Sequence, residues 1–229
     1  MLQNIVDYFT DAGVEVYLIL LVLIVLEAVL SADNAIALAA IAKSVKDPKS
    51  QQQALNIGLV GAYILRIALI FAATWVIKYW QFELLGAMYL LWLVYDYFST
   101  GADESEEDRA LNFKSVWQII PTIAITDLAF SLDSVTSAIA ITEDTWLIVA
   151  GGTIGIVILR FLAGLFIRWL QEYTYLEDAG FITVGFVGLR LLLKVGLPDY
   201  LIPEWVTIAV VAVFFTWGFS KKEIVEEDN

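Results

Sequence analysis

Seven apolar runs of roughly 18–27 residues dominate the chain, and nothing constrains its fold more. Each is long enough to cross a ~30 Å hydrocarbon core as a helix. They fall at about 16–42, 54–79, 83–99, 116–141, 146–170, 179–197 and 204–220. Strong alternation of the β-barrel kind is absent, which leaves helices as the way to satisfy a backbone in lipid. The predicted fold class is therefore all-α: a polytopic membrane helical bundle of about seven transmembrane helices. Composition agrees, with 60% of the 229 residues hydrophobic and 17% charged. A soluble domain carries about 45–50% and about 25%.

The same numbers exclude whole classes of function. A net charge of -13 leaves no basic face for a phosphate backbone, so no nucleic-acid partner is expected. With no Cys, disulfides, iron–sulfur clusters and thiolate metal sites are impossible. With no His, the commonest neutral-pH proton shuttle and transition-metal ligand is missing too. No Gly-x-x-x-x-Gly-Lys-[Ser/Thr] loop occurs, so transport by such a chain must run on a gradient or membrane potential rather than on ATP. The first residues do not read as a cleaved signal, since Asp7, Asp11 and Glu15 stand there without Lys or Arg. No prosthetic group and no enzymatic activity is expected.

Basic residues near the span ends set the orientation. One face holds Lys43, Lys46, Lys49, Arg109, Lys114, Arg168, Lys221 and Lys222; the other holds Lys78 and Lys194. Eight against two predicts an external N-terminus and a cytoplasmic C-terminus in a bacterial inner membrane. Residues 100–115 carry the acidic run Asp103, Glu104, Glu106, Glu107 and Asp108, read as a solvated cytoplasmic linker or, alternatively, a cation-collecting antenna. The acidic tail, from Glu223 to Asp228, reads the same way.

That linker separates two halves that resemble each other. At an offset of 100, Glu27 falls on Asp127, Ser31 on Ser131 and Asp33 on Asp133. At an offset of 94, Gly58 and Gly61 fall on Gly152 and Gly155, Arg66 on Arg160, Trp75 on Trp169 and Glu83 on Glu177. Charged, Gly and Trp coincidences in one register are not chance apolar matching. The predicted organisation is a three-helix repeat over 1–99, the linker 100–115, a second repeat over 116–197, and a seventh span with an acidic tail over 198–229. Three spans per repeat make the second copy inverted, a recurring plan of secondary transporters with polar sites near the midplane.

The first span reads LEAVLSADNAIALAA and the fourth TDLAFSLDSVTSAIA. Glu27, Asp33, Asp127 and Asp133 each lie within about a turn of their span centre. Ionisable groups there cost ~2.5–3.5 kcal/mol each on insertion and almost always face protein interior or water. Depth in two antiparallel spans sets Glu27 level with Asp133 and Asp33 level with Asp127, which predicts four carboxylates around one point. Ser31, Asn34, Ser131 and Ser134 add neutral oxygens. At 100° per residue Asp33 lies about 120° away from the face of Glu27, Ser31 and Asn34. The reading therefore favours a first helix broken near 31–33, with Pro121 loosening the fourth span. Arg66 and Arg160, central in spans two and five, are read as balancing the carboxylates, and Asp96 with Arg190 as a structural pair. The two Gly-x-x-Gly pairs read as close helix–helix contacts, and Trp75, Tyr79 and Trp80 as an interfacial belt.

On these residues the chain resembles the TerC family of membrane proteins, named for tellurium resistance, and is most similar to its subgroup regarded as manganese exporters. The resemblance rests on EAVLSADNA from Glu27, DLAFSLDSV from Asp127, and the segments GLVGAYILR and GGTIGIVILR ending at Arg66 and Arg160. It implies a divalent-cation exporter whose intramembrane acids match Glu27, Asp33, Asp127 and Asp133. Independently, carboxylate, hydroxyl and amide oxygens are hard ligands that suit Mg²⁺, Ca²⁺ or Mn²⁺; the choice of Mn²⁺ comes from the resemblance alone. The expected partners are a divalent cation and the bilayer. Rival readings are an exporter of another solute on the same fold, an assembly factor for membrane proteins, and an intramembrane aspartyl protease using Asp127 and Asp133. The protease reading is disfavoured, since no Gly-x-Gly-Asp segment occurs and six residues on one helix suit a shared proton poorly.

Overall fold

The computed structural model describes residues 2–45, 47–100, 116–197 and 202–222. Most of the acidic linker, and the acidic tail, lie outside the described residues. Among these residues seven helices follow one another: α1 (Leu2–Lys43), α2 (Pro48–Val76), α3 (Trp80–Thr100), α4 (Val116–Ile141), α5 (Thr145–Trp169), α6 (Leu176–Gly196) and α7 (Glu204–Gly218). Among the described residues the sole strand-like contact is one bridge between Tyr173 and Lys222. The fold is an all-helical, polytopic membrane bundle.

The helices overlap the apolar runs, but α1 starts at Leu2 and α2 at Pro48, ahead of the runs expected from 16 and 54. Asp47 caps α2: its carboxylate accepts from the Ser50 amide at 2.8 Å, and Pro48 opens the first turn. The Ser50 side chain and amide hold this carboxyl below its usual range. α1 is continuous from Leu2 to Lys43, contrary to the expected break near 31–33. From Val14 to Lys43 it has neither Gly nor Pro, so no peptide group loses its intrahelical partner, and in lipid each loss costs several kcal/mol. α4 likewise runs unbroken through Pro121.

Among the described residues five helices are long and apolar enough to cross a membrane: α1 from Gly13, α2, α4, α5 and α6. α3 has a sufficient 21 residues but carries Glu83 and Asp96, and α7 has 15 residues, about 22 Å of helix. Contacts at the helix ends show that both still alternate in direction with the rest. Lys43 at the end of α1 donates to Glu177 at 2.7 Å and to the Leu170 carbonyl at 3.2 Å. Tyr97, near the end of α3, donates to Asp178 at 2.8 Å, and the Thr174 amide donates to the Lys221 carbonyl beyond α7. The C-terminal ends of α1, α3, α5 and α7 thus share one face with the start of α6. At the other face Lys194, ending α6, meets Glu83, starting α3, at 2.9 Å.

α1 packs mainly on α5, α2 on α4, and α3 on α6. Residues 35–42 of α1 are buried on every side, including Ala35, Ala37, Ala39, Ala40 and Ala42. Small side chains all round let neighbours close in from several directions, which lipid-embedded packing requires because tails are as apolar as Leu. Outward-facing Tyr17, Phe71, Trp117 and Phe161 form the lipid-facing surface. Gly58 marks the tightest approach of α2 to α4, because a Cβ there would stand 2.7 Å from the Ile123 side chain. At Gly61 the same atom would meet Ala124 at an ordinary 3.4 Å. Gly58→Ala is expected to destabilise the protein by about 1–3 kcal/mol through overpacking, and Gly61→Ala to be tolerated. Thermal melts of both variants in detergent check this; equal melts would refute the close approach.

Candidate functional site: two buried acid–base clusters

Glu27 from α1, Arg66 from α2 and Asp127 from α4 meet in the middle of the bundle. Arg66 is 1% exposed, the largest fully buried side chain among the described residues. One terminal nitrogen donates to Glu27 at 2.7 Å, and the other to the two oxygens of Asp127 at 3.3 and 3.4 Å. The flat guanidinium fork suits this use, since each end meets a different carboxylate. Gly152 lies beside the Arg66 stem, and a Cβ on Gly155 would stand 2.8 Å from a Glu27 oxygen, so the glycines of α5 make the room. Ser131 donates to the Asp127 carbonyl at 2.7 Å and to its carboxylate at 3.3 Å. The buried Ser31 hydroxyl has no hydrogen-bond partner among the described residues.

The second cluster joins α4, α6 and α3. Arg190 reaches Asp133 at 3.1 Å, and Lys194 lies between Asp133 at 3.3 Å and Glu83 at 2.9 Å. Asp33 of α1 is buried within electrostatic reach of Arg190 and Asp133, and accepts from the Asn34 amide at 3.1 Å. Ser134 makes one long contact, donating to the Ser131 carbonyl at 3.5 Å. A cavity of about 290 Å³ between α1, α6 and α7 has Asp33, Arg190, Thr207 and Phe215 in its walls. With every group ionised, each cluster keeps one negative charge in excess.

This arrangement differs from the single four-carboxylate centre expected from depth. Among the described residues no three acidic groups converge as a metal cage. Glu27 pairs through arginine with Asp127 rather than standing with Asp133, and Asp33 shares the neighbourhood of Asp133. A guanidinium on its long stem bridges carboxylates at different depths, and each cation separates charges that would otherwise repel. Arg66 lies where its central position puts it. Arg160 does not: it is half-buried, and its Nε donates to Asn56 on α2. With Gly155 turned to Glu27, a residue five positions on points about 140° away. Arg190 turns to Asp133 instead of Asp96. Glu83 and Lys194 are missed as site members by the sequence reading, which treats Lys194 as a loop charge. Their signal is the spacing of Arg190 and Lys194, four residues apart on one face of α6.

A family model described as the integral membrane protein TerC family matches residues 12–225. The chain belongs to the TerC family. This TerC chain is 37% identical to the membrane protein YceF of Bacillus subtilis (strain 168), over 74% of its own length and 68% of that protein's. It is 35% identical to YkoY of the same organism, covering 81% of this chain and 63% of YkoY. A chloroplastic thylakoid membrane protein of Arabidopsis thaliana, TERC, is 25% identical over 74% of this chain and 52% of its own. An inner membrane protein of Escherichia coli (strain K12), YgdQ, is 26% identical over 75% and 78%. No solved structure matches the chain.

In this TerC protein Arg66 offsets part of the charge of two buried carboxylates. Arg66→Leu is expected to cost about 3–5 kcal/mol, the usual penalty for stranding a buried charge. The triple variant Glu27→Gln, Arg66→Leu, Asp127→Asn removes the stranded charges and should regain most of that loss. Thermal denaturation of the purified variants measures both, and an Arg66→Leu melt equal to wild type would refute the bridge.

Proposed function

We propose that this TerC protein is a secondary transporter that exports a divalent metal cation, Mn²⁺, from the cytoplasm through an intramembrane carboxylate site, driven by protons or another gradient. The observation that carries the reading is the excess of buried carboxylate over buried cationic charge, with Glu27, Asp33 and Asp127 buried in the bundle and Asp133 partly buried beside them. The one excess negative charge in each cluster favours a cation over an anion there, and the serine and asparagine oxygens beside the carboxylates are hard donors. The residues proposed to receive the cation along its path are Glu27 and Asp127 in the first cluster and Asp33 and Asp133 in the second, with Ser31, Asn34, Ser131 and Ser134 as neutral donors beside them. The choice of Mn²⁺ among hard cations rests on the resemblance to manganese-exporting members of the family.

Arg66 gives the site its working principle. Its guanidinium lies between Glu27 and Asp127, where a cation shared by both would have to sit. Metal and guanidinium are therefore alternatives, and loading requires Arg66 to draw back. Protons compete for the same carboxylates, so metal leaving and protons arriving are linked. The packing supports an inverted repeat, because α1 on α5 and α2 on α4 are contacts that exchanging the halves would interconvert. Orientation follows from Lys43, Lys49, Arg168 and Lys221, which lie near the helix ends of one face, whereas Lys194 turns inward to Asp133. That basic face is assigned to the cytoplasm of a bacterial inner membrane.

Mn²⁺ flux in everted vesicles carrying the purified protein tests the proposal. Glu27→Gln, Asp127→Asn and Asp133→Asn should each lower flux by at least the about 10–100-fold that disturbing a metal site costs, with the protein still folded. Arg66→Gln should bind Mn²⁺ at least as well yet turn over more slowly. Wild-type flux in the double variant Asp33→Asn, Asp133→Asn would place the ion path elsewhere, and export of a different solute without Mn²⁺ movement would overturn the assignment.

A further inference from the structure

Arg160, excluded from both acid–base clusters, belongs to a different feature. With Arg168 it lines a cavity of about 260 Å³ between α2 and α5, whose walls also include Gln52, Leu55, Phe161 and Gly164. Arg168 lies in the last turn of α5, on the face where α1, α3 and α7 also end. Arg160 is two turns deeper, about 12 Å along the axis and about 80° round it. Phe161 is 73% exposed on the outside of the bundle, so the cavity opens towards lipid.

The charge of this cavity is unusual for the chain. Most described cations in a protein of net charge -13 meet a carboxylate: Lys43 on Glu177, Arg66 on Glu27 and Asp127, Arg190 and Lys194 on Asp133, Lys222 on Glu172. Arg160 and Arg168 have no ion pair among the described residues. Asn56 accepts from the Nε of Arg160, which orients the guanidinium and leaves its terminal nitrogens free of that bond. A Cβ on Gly164 would stand 3.0 Å from one of those nitrogens, so the glycine keeps the guanidinium's space open. Two arginines beside an apolar wall suit a phosphodiester that carries acyl chains, and basic cavities between transmembrane helices on the cytoplasmic side take such headgroups.

We propose that this cavity is a binding site for an anionic phospholipid, with Arg160 and Arg168 holding its phosphate and Phe161 bordering its chains. The test is native mass spectrometry of the full-length protein extracted from vesicles of equal phosphatidylglycerol and phosphatidylcholine. Wild type should retain phosphatidylglycerol preferentially. Arg168→Gln should lower that preference about fivefold, and Arg160→Gln with Arg168→Gln by a further factor of similar size. Lys78→Gln, at the opposite face, should leave it unchanged. Arg168 is exposed, so its single variant carries the test if the double variant fails to fold. Equal retention of the two lipids by wild type, or undiminished preference in Arg168→Gln, overturns the proposal. Displacement of the lipid by millimolar inorganic phosphate would make this a free-anion site and overturn it equally.

Discussion

One guanidinium, shared by two carboxylates from two other helices, is the contact on which the interior depends. Arg66 ties α2 to α1 through Glu27 and to α4 through Asp127. Burying any one of these charges alone would cost several kcal/mol, and the set is tolerable because each member neutralises part of another. That mutual dependence fixes the helices' relative rotation. α5 must then present Gly152 and Gly155 to the centre, since any larger residue at 155 would collide with Glu27.

The second cluster is built differently. Asp133 is held by Arg190 and Lys194, and Lys194 extends the chain of contacts to Glu83 at the start of α3. Where Glu27, Arg66 and Asp127 of the first cluster are buried, this one has a cavity beside Asp33 and Arg190. The two halves of the proposed transport site therefore differ in how readily they admit water. Asp127 and Asp133 both lie on α4, one sharing a single arginine with Glu27 and the other held by two cations.

Much of this was legible in the chain because lipid leaves few alternatives. Apolar runs of membrane-spanning length predict the seven helices, although α1 begins at Leu2, well ahead of its run, and buried acids are conspicuous at the centres of α1 and α4. What one-dimensional depth misses is reach. Arg66 spans two levels, so Glu27 meets Asp127 in preference to Asp133, and no sum over residue heights reveals that. Nor does repeat position guarantee role. Arg66 and Arg160 are equivalent in register, yet the glycine face of α5 turns inward and carries Arg160 out to Asn56. Lys194 shows the opposite failure: a lysine at a helix end reads as a surface charge until Asp133 and Glu83 are seen to face it. The continuity of α1 is a third case, since liganding geometry argued for a break while the absence of Gly and Pro argued against one, and backbone satisfaction prevailed.

The brevity of α7 bears on the bilayer itself. At about 22 Å it falls short of a hydrocarbon layer of about 30 Å, and lipids beside a short span meet it by thinning or by drawing polar groups inward. α7 borders the cavity that contains Asp33 and Arg190. Hydrophobic mismatch on this flank shortens the dielectric barrier between the aqueous phase and those two charges, so membrane thickness becomes a variable that tunes how easily the second cluster is hydrated.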